Sequence, residues 1–217
     1  MTTARVLRLL QKEYGPREWR PGQDPLSSLI ATVLSQNTSD VNSHRAYAAL
    51  VKRFGSWESV AAADVNELAR TIRAGGLAEI KARRIKLILH EIEEERGSLD
   101  LGFLKELGLA EAKAWLRRLP GVGPKTAGCV LLFSLGRPAM PVDTHVYRVA
   151  KRLGLIDARA SVEKAHETLE SLVPPKNVYE FHILMVEHGR RTCKAQRPRC
   201  TVCVLRGLCP SVASSDG

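Results

Sequence analysis

The chain has 217 residues, 44% hydrophobic and 26% charged, ordinary values for a globular protein with a real core. No stretch approaches the length of a membrane span, and the amphipathic start, with Arg5, Arg8, Lys12 and Glu13, lacks the apolar core and cleavage site of a signal peptide. The net charge of +10 favours a polyanionic partner, nucleic acid first and an anionic membrane second, although charge can also serve solubility alone.

In chain order the apolar residues repeat at helical spacing. Leu26, Leu29, Ile30, Val33 and Leu34 share one face. Asp40 is placed to cap the next helix, whose face is Tyr47, Leu50, Val51 and Phe54. Asp64 followed by Glu67 resembles a capping box before Val65, Leu68, Ala69 and Ile72, and Gly75-Gly76 ends that segment. Ile85, Ile88, Leu89 and Ile92 form a stripe stopped near Gly97. Further on come Val142, Val146, Val149 and Leu153, then a helix capped by Ser161 and ended by Pro174-Pro175. No run alternates with period two, so the fold class is all-α. Pro138 and Pro141 interrupt two helical stretches and mark a candidate domain crossover, and Ser211 to Gly217 reads as a frayed tail.

Four of the five cysteines, Cys193, Cys200, Cys203 and Cys209, lie in a C-x6-C-x2-C-x5-C run. An odd cysteine count without an export signal speaks against a disulfide framework. Thiolates suit zinc or an iron–sulfur cluster. Zinc usually takes two close pairs, whereas only Cys200 and Cys203 are close here, which favours iron and sulfur. Arg190, Arg191, Lys194, Arg197, Arg199 and Arg206 surround the ligands, either to offset cluster charge, to meet phosphates, or as solvated charges. Cys129 is expected to be a small buried residue. His44, His90, His166, His182 and His188 show no ligand spacing.

The most informative stretch runs from Leu119 to Ala127, Leu-Pro-Gly-Val-Gly-Pro-Lys-Thr-Ala, between the helical patterns of Trp115, Leu116, Leu119 and of Val130, Leu131, Leu135. Gly121 and Gly123 allow backbone angles closed to other residues and a close backbone approach. Pro124 suits the first position of the second helix. Free N–H groups in the turn and at the helix start then form a phosphate cradle that does not read sequence, so Gly121, Val122 and Gly123 are the expected DNA contacts of the hairpin.

This string resembles the helix-hairpin-helix of the base-excision repair glycosylases, and Val142-Asp143-Thr144-His145 resembles their Val-Asp-Thr-His segment. With the cysteine run, the chain is similar to the endonuclease III family from about Leu26 to Cys209. The resemblance implies Lys125 as catalytic nucleophile, Asp143 as the essential aspartate, and a [4Fe–4S] cluster on Cys193, Cys200, Cys203 and Cys209. It implies two helical lobes with DNA across the cleft between them. One is a six-helix lobe over 22–136 that contains the hairpin at 115–135. The other is a cluster lobe made of 1–21 with 137–210, its cluster loop at 193–209, followed by the tail 211–217. The implied partner is double-stranded DNA carrying a damaged base or abasic site. The expected protein is a monomer without membrane association, cytoplasmic, and at the nucleoid if the cell is prokaryotic.

The chemistry fits these residue types. Base loss builds positive charge on the sugar, which a carboxylate stabilises. An amine that attacks C1′ forms a Schiff base, acidifies the C2′ proton and permits β-elimination on the 3′ side. That amine must be neutral, and the first turn of a helix disfavours a cation. Lys125 could otherwise be a plain phosphate contact, and Asp143 an N-cap for the helix starting at Thr144. Base extrusion also needs residues that fill the gap. By the resemblance these are Gln36 or Asn37, in the loop Leu34 to Asp40, and Leu77, which could instead be a helix-end core residue. His145 either touches DNA or fills the helix start. The family's usual substrates are oxidised pyrimidines such as thymine glycol. An adenine glycosylase would carry a glutamate where this chain has Ala31, Thr32 and Val33. A mismatch-specific thymine or uracil glycosylase stays open, as does a non-enzymatic DNA-binding module with a zinc knuckle.

Overall fold

The structure, a computed structural model, describes residues 2–213, and every regular element among them is helical. No helix among these residues is long and apolar enough to cross a membrane. The chain divides into two compact units, Gly22–Leu135 and Met1–Pro21 with Gly136–Gly217.

The second unit opens with α1 (Thr3–Tyr14), which buries Val6, Leu7, Leu10 and Tyr14 on one face and ends at Gly15. The middle unit then begins with α2 (Pro25–Ser35), capped by the Asp24 carboxylate, which accepts the Ser27 N–H at 2.9 Å. Its predicted face is the buried one: Leu26, Leu29, Ile30, Val33 and Leu34 are at most 1% exposed.

α3 (Asp40–Phe54) departs from expectation twice. Its cap is Ser39, whose hydroxyl accepts the Asn42 N–H at 3.3 Å, so Asp40 lies inside the first turn and complements the helix dipole from there. Its buried face is Ser43, Ala46 and Leu50, while Val51 is 44% exposed. The small side chains face inward because a turn packs close: a Cβ at Gly75 would stand 3.1 Å from Ala46 Cβ.

α4 (Trp57–Ala62) and α5 (Val65–Thr71) follow. Asp64 caps α5 through the Asn66 and Glu67 N–H groups, but Glu67 does not complete the expected capping box; its carboxylate pairs with Arg53. A 3-10 turn, Arg73–Gly75, leads to α6 (Ala78–Arg96), which Gly97 ends in a left-handed conformation. α7 (Leu109–Arg118) and α8 (Pro124–Cys129) form the hairpin, and a π-helical turn, Val130–Ser134, prolongs α8.

The chain re-enters its other unit at Gly136. α9 (Thr144–Arg152) buries Val146, Val149 and Ala150 against α11 (Val178–Arg191), and α10 (Val162–Leu172) is capped by Ser161 as expected. α12 (Pro210–Ala213) replaces the start of the expected frayed tail, because the Ser211 hydroxyl donates to the Arg152 carbonyl at 2.9 Å. The rest of that tail, 214–217, lies outside the described residues.

Candidate functional site

In the middle unit, the Val122 N–H closes the hairpin turn on the Leu119 carbonyl at 3.1 Å. Gly121 sits at φ +72°, where an L side chain is strained, and a Cβ there would stand 2.2 Å from Arg84 Nε. Gly123 was expected to need the same freedom and does not. Its φ is −90°, and its Cβ would meet nothing within 4 Å. Gly123 therefore faces open space rather than a packed neighbour. Pro124 takes the first position of α8 and half-buried Lys125 the second. The first N–H groups of a helix lack intrahelical partners and carry its positive end.

The loop after α2 reaches this hairpin. Gln36 Nε2 donates to the Gly121 carbonyl at 3.1 Å and to Thr126 Oγ1 at 3.4 Å, and Arg84 Nη1 donates to Gln36 Oε1 at 2.6 Å. Gln36 is thus engaged within the protein. Its neighbour Asn37 is exposed and left-handed at φ +53°. Leu77, left-handed at φ +48° and 52% exposed, is no core residue.

Lys81, one turn before Arg84 on α6, is 2% exposed. Its Nζ donates to the carbonyls of Leu34 at 2.7 Å and Gly75 at 2.8 Å. Burial, with a smaller contribution from Arg84, holds its ammonium below the usual lysine range. Sequence reasoning passed over both residues. The available signal was a lysine in register with Ile85 and Ile88, on the stripe that became the buried face.

In the other unit Asp143 caps α9: its Oδ1 accepts the Val146 N–H at 2.7 Å. His145 is packed rather than free. A Cβ at Gly189 would stand 2.8 Å from its Cβ, and its Nδ1 lies 3.1 Å from Arg148 Nη2. Two arginines of α9, neither singled out from sequence, hold the cysteine loop. Arg148 Nε donates to the Cys193 carbonyl at 3.0 Å; Arg152 Nη1 donates to Cys193 Sγ at 3.3 Å and the Lys194 carbonyl at 2.7 Å. Of the basic residues noted in sequence, Arg191 pairs with Glu187 at 2.8 Å.

Cys193, Cys200, Cys203 and Cys209 line one cavity of about 110 Å³, and no disulfide joins any of the cysteines. Cys129 is buried, as expected. Burial pushes the Cys203 thiol up; the Leu205 backbone opposes this, while Cys193, Cys209 and Cys200 push the same way as burial. Four mutually repelling thiolates need a cationic centre to be stable together. His188 Nε2 lies 3.5 Å from Cys203 Sγ, and burial drives this imidazole down to about 4, so it is neutral. No three His, Cys, Asp or Glu among the described residues converge as a single metal ion requires. Four thiols lining one cavity are a donor set that fits a thiolate-ligated centre, zinc or an iron–sulfur cluster.

Residues 30–175 match the HhH-GPD superfamily of base excision DNA repair proteins. The chain belongs to that superfamily. Within it, the chain is 38% identical over 186 residues to endonuclease III of Thermotoga maritima, covering 86% of this chain and 83% of the relative. It is 41% identical over 165 residues, 76% of its own length, to a putative DNA glycosylase of Arabidopsis thaliana, and spans 56% of that relative. The solved structure of a non-covalent endonuclease III–DNA complex superimposes with a TM-score of 0.84 at 30% identity, covering 100% of this chain and 99% of that one.

The two glycines of this HhH-GPD hairpin should respond differently to alanine. Gly123→Ala should leave stability within about 0.5 kcal/mol, because φ and space permit a methyl, yet weaken duplex binding roughly tenfold by standing off a phosphate. Gly121→Ala should cost about 1–2 kcal/mol for the left-handed backbone and also displace Arg84 from Gln36. Thermal melts and fluorescence-anisotropy titrations of both variants check this; unaltered binding by Gly123→Ala would remove the turn from the interface.

Proposed function

We propose that the protein is a bifunctional DNA glycosylase and abasic-site lyase that removes oxidised pyrimidines from duplex DNA. The observation that carries this reading is the placement of Lys125: a lysine in the first turn of the helix that follows a turn with an unobstructed Gly123. The hairpin grips a phosphate, and the Lys125 Nζ, as a neutral amine, attacks C1′ of the adjoining sugar. The C1′–N bond breaks with its electron pair leaving on the base, which takes up a proton. The attached nitrogen loses a proton. The C1′–O4′ bond breaks with its electron pair going to O4′, which takes up a proton, and the ring-opened iminium forms. It releases the C2′ proton as the C3′–O bond breaks to leave a 5′ phosphate. Water then hydrolyses the Schiff base to give a 3′ unsaturated aldehyde and free Lys125. Asp143 keeps a carboxylate for the cationic sugar while capping α9. Asn37 and Leu77 enter the duplex where the base departs; Gln36 serves as a tie to the hairpin, as its bonds to Gly121 and Arg84 support.

Cys193, Cys200, Cys203 and Cys209 would hold a [4Fe–4S] cluster, which supplies structural cohesion to the loop 193–209. Purified protein should be brown, with equal amounts of iron and acid-labile sulfide, and Cys203→Ser should lose most of both. A colourless protein carrying zinc would replace the cluster with the zinc alternative.

Incubation with single-lesion duplexes under borohydride tests the catalytic reading. A covalent adduct and a strand nick on thymine glycol duplexes are expected. Release of thymine or uracil from mismatches, with none from thymine glycol, would reassign the substrate.

A further inference from the structure

We infer that Lys81 is a positioning residue for base extrusion: its buried side chain ties the loop carrying Asn37 to the turn carrying Leu77 and sets their spacing. The inference rests on the assignment of Asn37 and Leu77 as the residues that enter the duplex.

One nitrogen bonds two carbonyls from separate segments, Leu34 in the last turn of α2 and Gly75 at the end of the turn before α6. Both belong to helix ends whose carbonyls have no partner within the helix. Both residues are buried, so water does not satisfy them. Asn37 lies three residues beyond one anchor and Leu77 two beyond the other. Both are left-handed, which asparagine tolerates but which a leucine holds only where surrounding structure sustains it. No carboxylate pairs with Lys81 among the described residues. An alkyl side chain would fill the same space without burying a charge, so the ammonium makes sense as a device that fixes geometry. A preset spacing spares the duplex-bound state the cost of ordering two loops separately. Arg84, one turn on, fastens the same first loop to the hairpin through Gln36, so α6 braces the whole face.

Lys81→Met keeps the stem and removes the donors; Lys81→Arg restores donors to both carbonyls. Affinity is measured by anisotropy for a duplex with a tetrahydrofuran abasic analogue and for the same duplex undamaged, with 2-aminopurine opposite the gap reporting unstacking. The Met variant should lose about tenfold of the preference for the tetrahydrofuran duplex, bind undamaged duplex within about twofold of wild type, and lose the 2-aminopurine response. The Arg variant should recover part of each. Equal losses on both duplexes, or an unchanged preference, would overturn the inference. Should Lys81→Met not fold, hydrogen exchange of the wild-type protein decides. The Gln36 and Gly76 amides should share one opening free energy, and independent opening would overturn the tie. A wild-type protein with no preference for the tetrahydrofuran duplex and no borohydride adduct would instead remove the glycosylase reading, and this inference with it.

Discussion

Lys125→Ala is expected to form no borohydride-trapped adduct and to lower strand cleavage at abasic sites by about a thousandfold or more. Alanine is the best helix former, and the site is half-buried on the second position of α8, so the helix should survive. Binding to a tetrahydrofuran duplex should stay within about threefold, because the proposed reading assigns the grip to the hairpin backbone rather than to this side chain. Lys125→Arg should not restore activity. A guanidinium keeps its proton throughout the relevant range and cannot act as a nucleophile. Single-turnover cleavage and gel retention of the three proteins check the point. An adduct formed by Lys125→Ala would reassign the nucleophile, and a parallel loss of binding and cleavage would reduce Lys125 to a phosphate contact.

Asp143 allows its two roles to be separated. As an N-cap it accepts the Val146 N–H at 2.7 Å, and asparagine caps a helix about as well as aspartate. Asp143→Asn should therefore keep the melting temperature of wild type while base release falls about a hundredfold to a thousandfold, the loss of one charge aimed at a developing cation. Asp143→Ala should show the same kinetic loss and in addition cost about 1 kcal/mol of stability. Single-turnover base release and thermal melts of both variants decide between the roles. Wild-type rates in Asp143→Asn, with a destabilised Asp143→Ala, would leave a cap and nothing more.

Periodicity in the chain carried much of the helical architecture. The stripes Leu26 to Leu34 and Ile85 to Ile92 are buried as their spacing predicts, because a 3.6-residue period and the need to cover apolar surface leave one solution. The α3 face was misjudged for a reason no local pattern holds. Large apolar residues at Tyr47 and Val51 suggested one face, but the close approach of Gly75 selected the side bearing Ser43 and Ala46. Ser39 likewise displaced Asp40 as cap, since both can accept the same kind of hydrogen bond and only the path of the preceding loop chooses.

The amino-acid order by itself determined the helical class, the hairpin with Lys125 in the first turn of its second helix, Asp143 at the start of α9, and a compact four-thiol loop. These are short-range matters of period, turn chemistry and ligand spacing. Tertiary structure alone decided that Gln36 is held at Gly121, that Asn37 and Leu77 are both exposed and left-handed, and that Lys81 bonds carbonyls at Leu34 and Gly75. It also decided that Arg148 and Arg152 hold the cysteine loop from another helix. Long flexible side chains reach many partners, and which ones they find depends on how distant segments pack.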